Sequence, residues 1–371
     1  MTEPRYRVDD AREIISPALL VYPRIVQQNI DRAIEIAGGP ERLCPHAKTH
    51  KTREVARMQL ASGIRKHKCA TIAEAEMLAS AGAPDVLIAY PMVGPNQARV
   101  VRLIGRYPDV RFSVVADHAT AVESLSAVAQ AAGVEVDVLV DLDVGQHRTG
   151  VAPGAEALAV CELIGRQPAL RFAGLHVYDG HTHQEDLAER TAAVEAEMRS
   201  VWELRSLLLG RGLPVRRMVL GGTPTFPVHA RTRVEGVELS PGTFVFHDHG
   251  YGSQFPDLGF TPAALLLTRV ISVPTRDRIC LDLGYKAVAS DPKGDRLKLL
   301  DVDGARLVLQ NEEHLVVEVP DAARFGPGDE LFAIPTHVCP TVALHRHLYV
   351  IEGRRLAGRW EVVARDRCLE I

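Results

Sequence analysis

The chain has 371 residues, room for a barrel of about 250 residues and a smaller partner domain. Its 46% apolar and 24% charged residues are those of an ordinary soluble globular protein, and a net charge of -4 excludes the basic footprint of a nucleic-acid binder. No apolar run is long enough for a membrane, the polar stretch Met1–Asp10 is no signal peptide, and the six scattered cysteines read as reduced thiols, so a cytoplasmic protein is expected.

The first strand-like run, Ala18-Leu19-Leu20-Val21-Tyr22, precedes any repeating pattern, and the first residues are expected to join a C-terminal β domain. From 42 to 245, short β-rich runs alternate with helical stretches. The candidate strands are Arg42–Cys44, Lys66–Ala70, Asp85–Tyr90, Arg111–Ala116, Glu135–Asp141, Arg171–Tyr178, Arg216–Leu220 and Gly236–Leu239. Eight strands alternating with helices predict a (β/α)8 TIM-like barrel, an α/β fold. No G-x-G-x-x-G follows the first strand, which argues against an open doubly wound sheet. Beyond residue 250, Leu265–Val273, Arg278–Leu283, His314–Val319, Glu330–Ile334 and Leu348–Ile351 predict antiparallel β structure. The expected domains are thus a barrel over 17–245 and a β domain made of 1–16 and 246–371.

Catalytic groups of a barrel gather where its strands end. Pro45-His46-Ala47-Lys48-Thr49-His50-Lys51 follows the first strand, Asp141 through Gly150 the fifth, and Tyr178-Asp179-Gly180-His181 the sixth. Gly221-Gly222-Thr223-Pro224-Thr225 and Ser240-Pro241-Gly242-Thr243-Phe244 follow the last two, where barrels bind phosphate through backbone N–H groups. A lysine, an arginine, a tyrosine and a phosphate cradle on one rim are what pyridoxal 5'-phosphate requires.

With these motifs the chain resembles the fold-type III pyridoxal-phosphate enzymes, whose barrel is that of alanine racemase. Within them it is similar to the D-threonine aldolase and D-serine dehydratase group. The matching residues are Pro45 through Lys51, Ala70-Thr71 with Glu74-Ala75-Glu76, Asp141-x-Asp-Val-Gly-Gln-x-Arg148, Gly174-Leu175 with Tyr178-x-Gly180, Gly221-Gly222-Thr223, and His337-x-Cys339-Pro340-Thr341. The resemblance implies that Lys48 carries the cofactor as a Schiff base and acts as the base at Cα. It implies that Arg148 hydrogen-bonds the phenolic oxygen and that His176 and Tyr178 lie against the ring. Gly222, Thr223, Gly242 and Thr243 would hold the phosphate. His50, Lys51 and His67 are expected as rim residues or residues just behind the site.

In this fold the residue before Pro-Gly faces the pyridine nitrogen, and it is arginine in the racemases and glutamate in the decarboxylases. Here it is Ser240. Without a carboxylate the ring is a weaker electron sink, which points to a second electrophile. His337 and Cys339, two apart in an expected extended segment, place an imidazole and a thiol on one face, a donor pair suited to zinc, with manganese or magnesium as alternatives. The aldolase pattern has His-x-Asp here and the dehydratase pattern His-x-Cys. His181-Thr182-His183 and His247-Asp248-His249 are expected around the mouth of the site.

The implied function is a lyase acting on D-configured β-hydroxy-α-amino acids, with retro-aldol cleavage of the D-threonine aldolase type first. D-serine dehydration, amino-acid racemisation and non-catalytic cofactor binding are the alternatives, in that order. A racemase would want a second base, and Tyr251 and Tyr285 lie outside the motif expected for one. The implied partners are a small D-amino-acid substrate and a second copy of the chain in a homodimer.

Overall fold

The computed structural model describes residues 6–371; residues 1–5 of the expected β domain lie outside the described residues. The strands, in chain order, are β1 (Ala18–Val21), β2 (Lys66–Cys69), β3 (Asp85–Pro91), β4 (Arg111–Ala116), β5 (Val136–Leu142), β6 (Leu170–Val177), β7 (Arg217–Leu220) and β8 (Val237–Leu239). There follow β9 (Ala264–Thr275), β10 (Arg278–Leu281), β11 (Leu297–Leu299), β12 (Arg306–Gln310), β13 (Leu315–Glu318), β14 (Glu330–Pro335), β15 (His347–Glu352) and β16 (Arg355–Glu361). The chain divides into two compact units. One holds the described residues through Ile30 with Thr49–Thr52 and Thr243–Arg365; the other holds Asp31–Lys48, Arg53–Gly242 and Asp366–Ile371.

In the larger unit β2 to β8 form one parallel sheet in sequential order, with helices between the strands. The expected first strand, Arg42–Cys44, is not a strand of that sheet. It survives as two parallel bridges, Leu43 to Leu239 on β8 and His46 to Lys68 on β2. Cys44 N–H donates to Leu239 O at 2.8 Å and Lys68 N–H to Pro45 O at 2.8 Å, so residues 43–46 close the ring between its two edges. Pro45 has no amide to donate, which keeps the segment from building a longer ladder.

Cys44, Leu87, Val115, Leu139, Ala173 and Val219 touch one another from six positions around the ring. They can do so only inside it, and the two-residue alternation of a strand then orders the interior in layers. On the N-terminal side stand paired charges: Arg217 with Glu238 (2.8 Å) and Asp85 (3.0 Å), and Asp137 between Arg111 (2.7 Å) and Arg171 (2.5 Å). On the C-terminal side the same faces carry Lys68, Asp141, His176 and Ser240.

Local chemistry fixes the strand ends. After β2, Thr71 accepts from the Glu74 amide at 3.0 Å while the Glu74 carboxylate accepts from the Ala70 amide at 2.7 Å. This reciprocal cap starts the helix Ile72–Ala81, which ends at Gly82 with φ of 99°.

The other unit is a mainly antiparallel sheet in the order β12-β13-β10-β9-β1-β15-β16, with β14 pairing β9 and β11. Strand β1 pairs antiparallel with β9 and parallel with β15. The expected barrel boundary at residue 17 therefore differs from the contacts, which place Ala18–Val21 in the β sheet. Strands β11, β12 and β16 were not anticipated. Among the described residues no helix is long and apolar enough to cross a membrane.

Candidate active site

In the barrel unit three cations surround one phenol. Lys48 Nζ lies 5.7 Å from the Tyr178 ring centroid, Lys68 Nζ 5.6 Å and Arg148 Cζ 4.8 Å. Lys48 sits on the short turn Ala47–Thr49 directly after the closing segment, its amide donating to His46 Nδ1 at 3.2 Å. Arg148 rides on the loop after β5, which Asp143 organises by accepting from the Gly145 and His147 amides at 3.0 Å each. The loop closes at Gly150, whose φ is 100° and whose amide donates to Asp117 at 2.8 Å. A Cβ there would lie 2.7 Å from the Asp143 amide nitrogen, so only glycine fits.

Behind the phenol runs a buried chain of polar groups. Asp141 Oδ1 lies 2.6 Å from His176 Nδ1, and Asp141 Oδ2 accepts from Thr149 Oγ1 at 2.9 Å. Lys68 Nζ lies 3.4 Å from His176 Nε2. Burial would raise Asp141, but His176 and Thr149 hold its carboxyl below the usual range. Burial lowers His176 although Asp141 opposes it, and burial, reinforced by Lys48, brings Lys68 down to about 8. Ser240 is on the inward face two residues after Glu238, and its buried Oγ has no hydrogen-bond partner among the described residues.

The turn after β7 is held from below. Asp179 accepts from His229 Nε2 at 2.6 Å and from Thr225 Oγ1 at 2.7 Å, and Thr225 Oγ1 in turn accepts from the Gly222 amide at 3.2 Å. The Gly242 amide donates to Thr223 Oγ1 at 3.1 Å. Both amides expected on a phosphate thus donate to threonine hydroxyls here. Gly180 lies against the phenol: a Cβ on it would fall 2.3 Å from Tyr178 Cε1.

Lys48, Arg148, His176, Tyr178, Gly222, Thr223, Ser240 and Gly242 therefore all belong to the C-terminal side of one barrel. These residues suit pyridoxal phosphate. Three cations gather on one phenol while Asp141, behind it, is already engaged by His176 and Thr149, a setting suited to an anionic group, and the orphaned Ser240 hydroxyl can meet a ring nitrogen without protonating it.

In the β unit, His337 and Cys339 are brought together, but not by an extended segment. Strand β14 ends at Pro335, and His337 caps the helix Val338–Leu344 with Cys339 and Pro340 in its first turn. Proline is well tolerated in a first turn, where its missing amide costs nothing, and this overrides the expected strand. His337 Nδ1 lies 2.5 Å from Asp291 Oδ2. Burial disfavours the imidazolium, yet hydrogen bonding to Cys339 and the charge of Asp291 outweigh it and raise His337 to about 9. Cys339 Sγ meets Thr49 Oγ1 at 3.2 Å and Thr243 Oγ1 at 3.6 Å, so Thr243 stands beside the thiol in this unit. Asp248, pushed up to about 6 by burial, accepts from the Val338 amide at 3.0 Å and fixes the turn. Asp291 on Nδ1 fixes the ring as in a metal-binding histidine, and Nε2 would take a cation only on giving up its proton and its hydrogen bond to Cys339. Among the described residues no group of three or more His, Cys, Asp or Glu converges, so two protein donors are all this pair offers.

His67, expected on the rim or just behind the site, is wholly buried, its ring nitrogens without partners among the described residues and its pKa brought by burial to about 4. His50 is buried too, beside the Thr52 carbonyl at 3.1 Å. His181 faces Glu197 at 3.3 Å and His183 the Gly180 carbonyl at 2.8 Å, which occupies both locally. In the sequence Lys68, His229 and Asp291 carry no motif, and Asp179 and Thr225 stand within named turns without a role for either.

The alanine racemase N-terminal domain model matches residues 23–249, and a serine dehydratase domain model matches residues 263–351. The D-threonine aldolase of Arthrobacter sp is 33% identical over 327 residues, covering 87% of this chain and 85% of that protein. Among solved structures, D-threonine aldolase from Filomicrobium marinum superposes with a TM-score of 0.89 at 29% identity, covering 95% of this chain and 96% of the other. D-threo-3-hydroxyaspartate dehydratase from Delftia sp. HT23 gives 0.83 at 26%, covering 95% and 98%. A cysteine-to-alanine mutant of a dehydratase of that name has been solved in a metal-free form.

Proposed function

The chain belongs to the fold-type III pyridoxal-phosphate enzymes built on the alanine racemase barrel and is a lyase of that group, and on this premise we propose that it cleaves D-configured β-hydroxy-α-amino acids by a retro-aldol reaction. The observation that carries the reading is the gathering of Lys48, Lys68 and Arg148 on the Tyr178 ring above an unpartnered Ser240 hydroxyl. The similarity to D-threonine aldolases along nearly the whole chain favours aldol cleavage.

When bound, pyridoxal phosphate supplies the sink for the electron pair left at Cα as the Cα–Cβ bond breaks. Lys48 is the residue that would hold it and would also supply the base that handles a proton at Cα. Arg148 would supply positive charge for the ring oxygen, and neutral Ser240 would leave the ring nitrogen unprotonated. The Thr223 hydroxyl would supply a donor for a phosphate, and the Gly222 and Gly242 amides would do so on turning from the Thr225 and Thr223 hydroxyls that now accept from them. His337 and Cys339 would hold a divalent cation, which supplies a Lewis acid for the β-oxygen; nitrogen and sulfur donors favour zinc. Thr49 and Thr243, whose hydroxyls meet Cys339, directly follow Lys48 and Gly242 in the chain.

Dehydration is the second reading, supported by a thiol at Cys339 and by the serine dehydratase domain match. Purified enzyme given D-threonine should release glycine and an aldehyde, and chelator should stop the reaction until a divalent cation is returned. Rapid pyruvate and ammonia from D-serine, without glycine from D-threonine, would replace the first reading by the second. Full activity in chelator would remove the cation from both.

A further inference from the structure

Lys68 has no part in the proposed reaction, yet it stands on the inward face of β2 beside the groups that do. It is 2% exposed, with its ammonium 3.4 Å from His176 Nε2 and 5.6 Å from the Tyr178 centroid. Among the described residues no carboxylate forms an ion pair with it. His176 does not balance its charge. Asp141, held ionised, can only accept, so the shared proton sits on His176 Nδ1 and Nε2 presents a lone pair to the ammonium. The Asp141–His176 pair therefore aims the ammonium, and the Asp141 and Asp179 carboxylates act on its charge only from a distance, with no direct ion pair. A buried cation of this kind is costly alone and is relieved when an anion binds beside it.

We propose that Lys68 binds an oxyanion in the active site, either the ring oxygen of the cofactor or the carboxylate of the amino-acid substrate, and that Asp141 and His176 are its positioning residues. The proposal rests on Lys48 carrying the cofactor. Its chemistry is the same for both oxyanions, a charge-assisted hydrogen bond from a desolvated ammonium, stronger than a neutral one and tied to the presence of positive charge. The titratable and charged groups facing Lys68 are Cys44, Lys48, Asp141, His176, Tyr178 and Asp179, and all stay constant when only Lys68 is changed.

The test compares cofactor-loaded wild type with Lys68→Met and Lys68→Arg. Borohydride trapping comes first: an unlabelled Lys48 in the wild type ends the cofactor reading itself, whereas label on Lys48 in every form leaves the question to Lys68. If the ammonium holds the ring oxygen, losing it favours the protonated cofactor. The pH midpoint of the visible cofactor band, without substrate, then rises by roughly one unit in Lys68→Met and returns towards wild type in Lys68→Arg. If it holds the substrate carboxylate, the midpoint stays and the dissociation constant of D-alanine, read from the spectral change, rises about tenfold or more while that of D-alaninamide does not. Lys68→Gln, which can still donate to His176, takes the place of a Met variant that fails to fold. An unchanged midpoint together with unchanged D-alanine affinity in the neutral variant overturns the proposal.

Discussion

His67 lies between Lys66 and Lys68 on β2 but faces away from the barrel interior, fully buried and with both ring nitrogens unpartnered among the described residues. Burial takes it from 6.5 to about 4. In the unfolded chain the imidazole protonates near its usual value, so a neutral buried ring contributes its full stability above about pH 6.5 and loses it progressively as pH falls towards about 4. A difference of about 2.5 units at about 1.36 kcal/mol each makes this roughly 3 kcal/mol, an upper figure for a ring that gains some water on acidification. His67→Leu removes the titration while keeping a side chain of similar bulk. Urea unfolding, followed by Trp202 fluorescence in a Trp360→Phe background so that the barrel unit alone reports, should be run from about pH 8 to about pH 4.5. The stability of the parent minus that of the variant should fall by about 2 to 3 kcal/mol across that range. At the alkaline end the variant should be at least as stable, because two buried nitrogens no longer lack partners. A pH-independent difference would mean that His67 is not desolvated, and would refute its placement behind the barrel wall.

Asp179→Ala leaves Thr225 and His229 buried without their shared acceptor, and should cost about 2 to 5 kcal/mol in unfolding and loosen cofactor retention on dialysis; wild-type values in both would disprove its role beneath the Gly222 turn. Gly180→Ala places a methyl where the Tyr178 ring now lies, so the ring should swing out and activity fall about tenfold or more, and a variant structure with the ring unmoved would contradict this. Cys339→Asp keeps an anionic ligand but a hard one, so bound metal should shift from zinc towards manganese after loading from an equimolar mixture. Unchanged zinc content would show that Cys339 is no ligand.

The barrel strands were legible because strands covered on both faces read as apolar runs, and Arg111–Ala116 was placed to the residue. Ala18–Val21 has the same composition, but a strand's own residues do not name its partner, and only pairing with Ala264 through Leu267 of β9 assigns it to the other sheet. Strands β12 and β16 are largely exposed, β12 with Val308 and Leu309 turned outward and β16 with Arg355, Arg359 and Glu361, so no clean apolar-in, polar-out alternation announced them. At the site, Lys48, Arg148 and Tyr178 stood in motifs. Lys68 did not, since a strand reading Lys-His-Lys-Cys looks like a solvent face; it is register opposite the inward Leu87 that turns it to the interior. Asp291 comes to His337 from a distant loop, and nothing local marks such a meeting.

The closing segment of the barrel is also a clasp. It engages the two edges of the sheet through Leu43 and His46, and Lys48 sits two positions beyond the second of these. Lys48 is therefore carried by the fastening rather than by a wall that stands without it. During synthesis one side of the fastening cannot engage until Leu239 has left the ribosome, long after Lys48 was made, because domains complete only when their last elements emerge. Until then the chain is a lengthening ribbon of strands, and the proposed carrier of the cofactor reaches its place only in the act that shuts the ring.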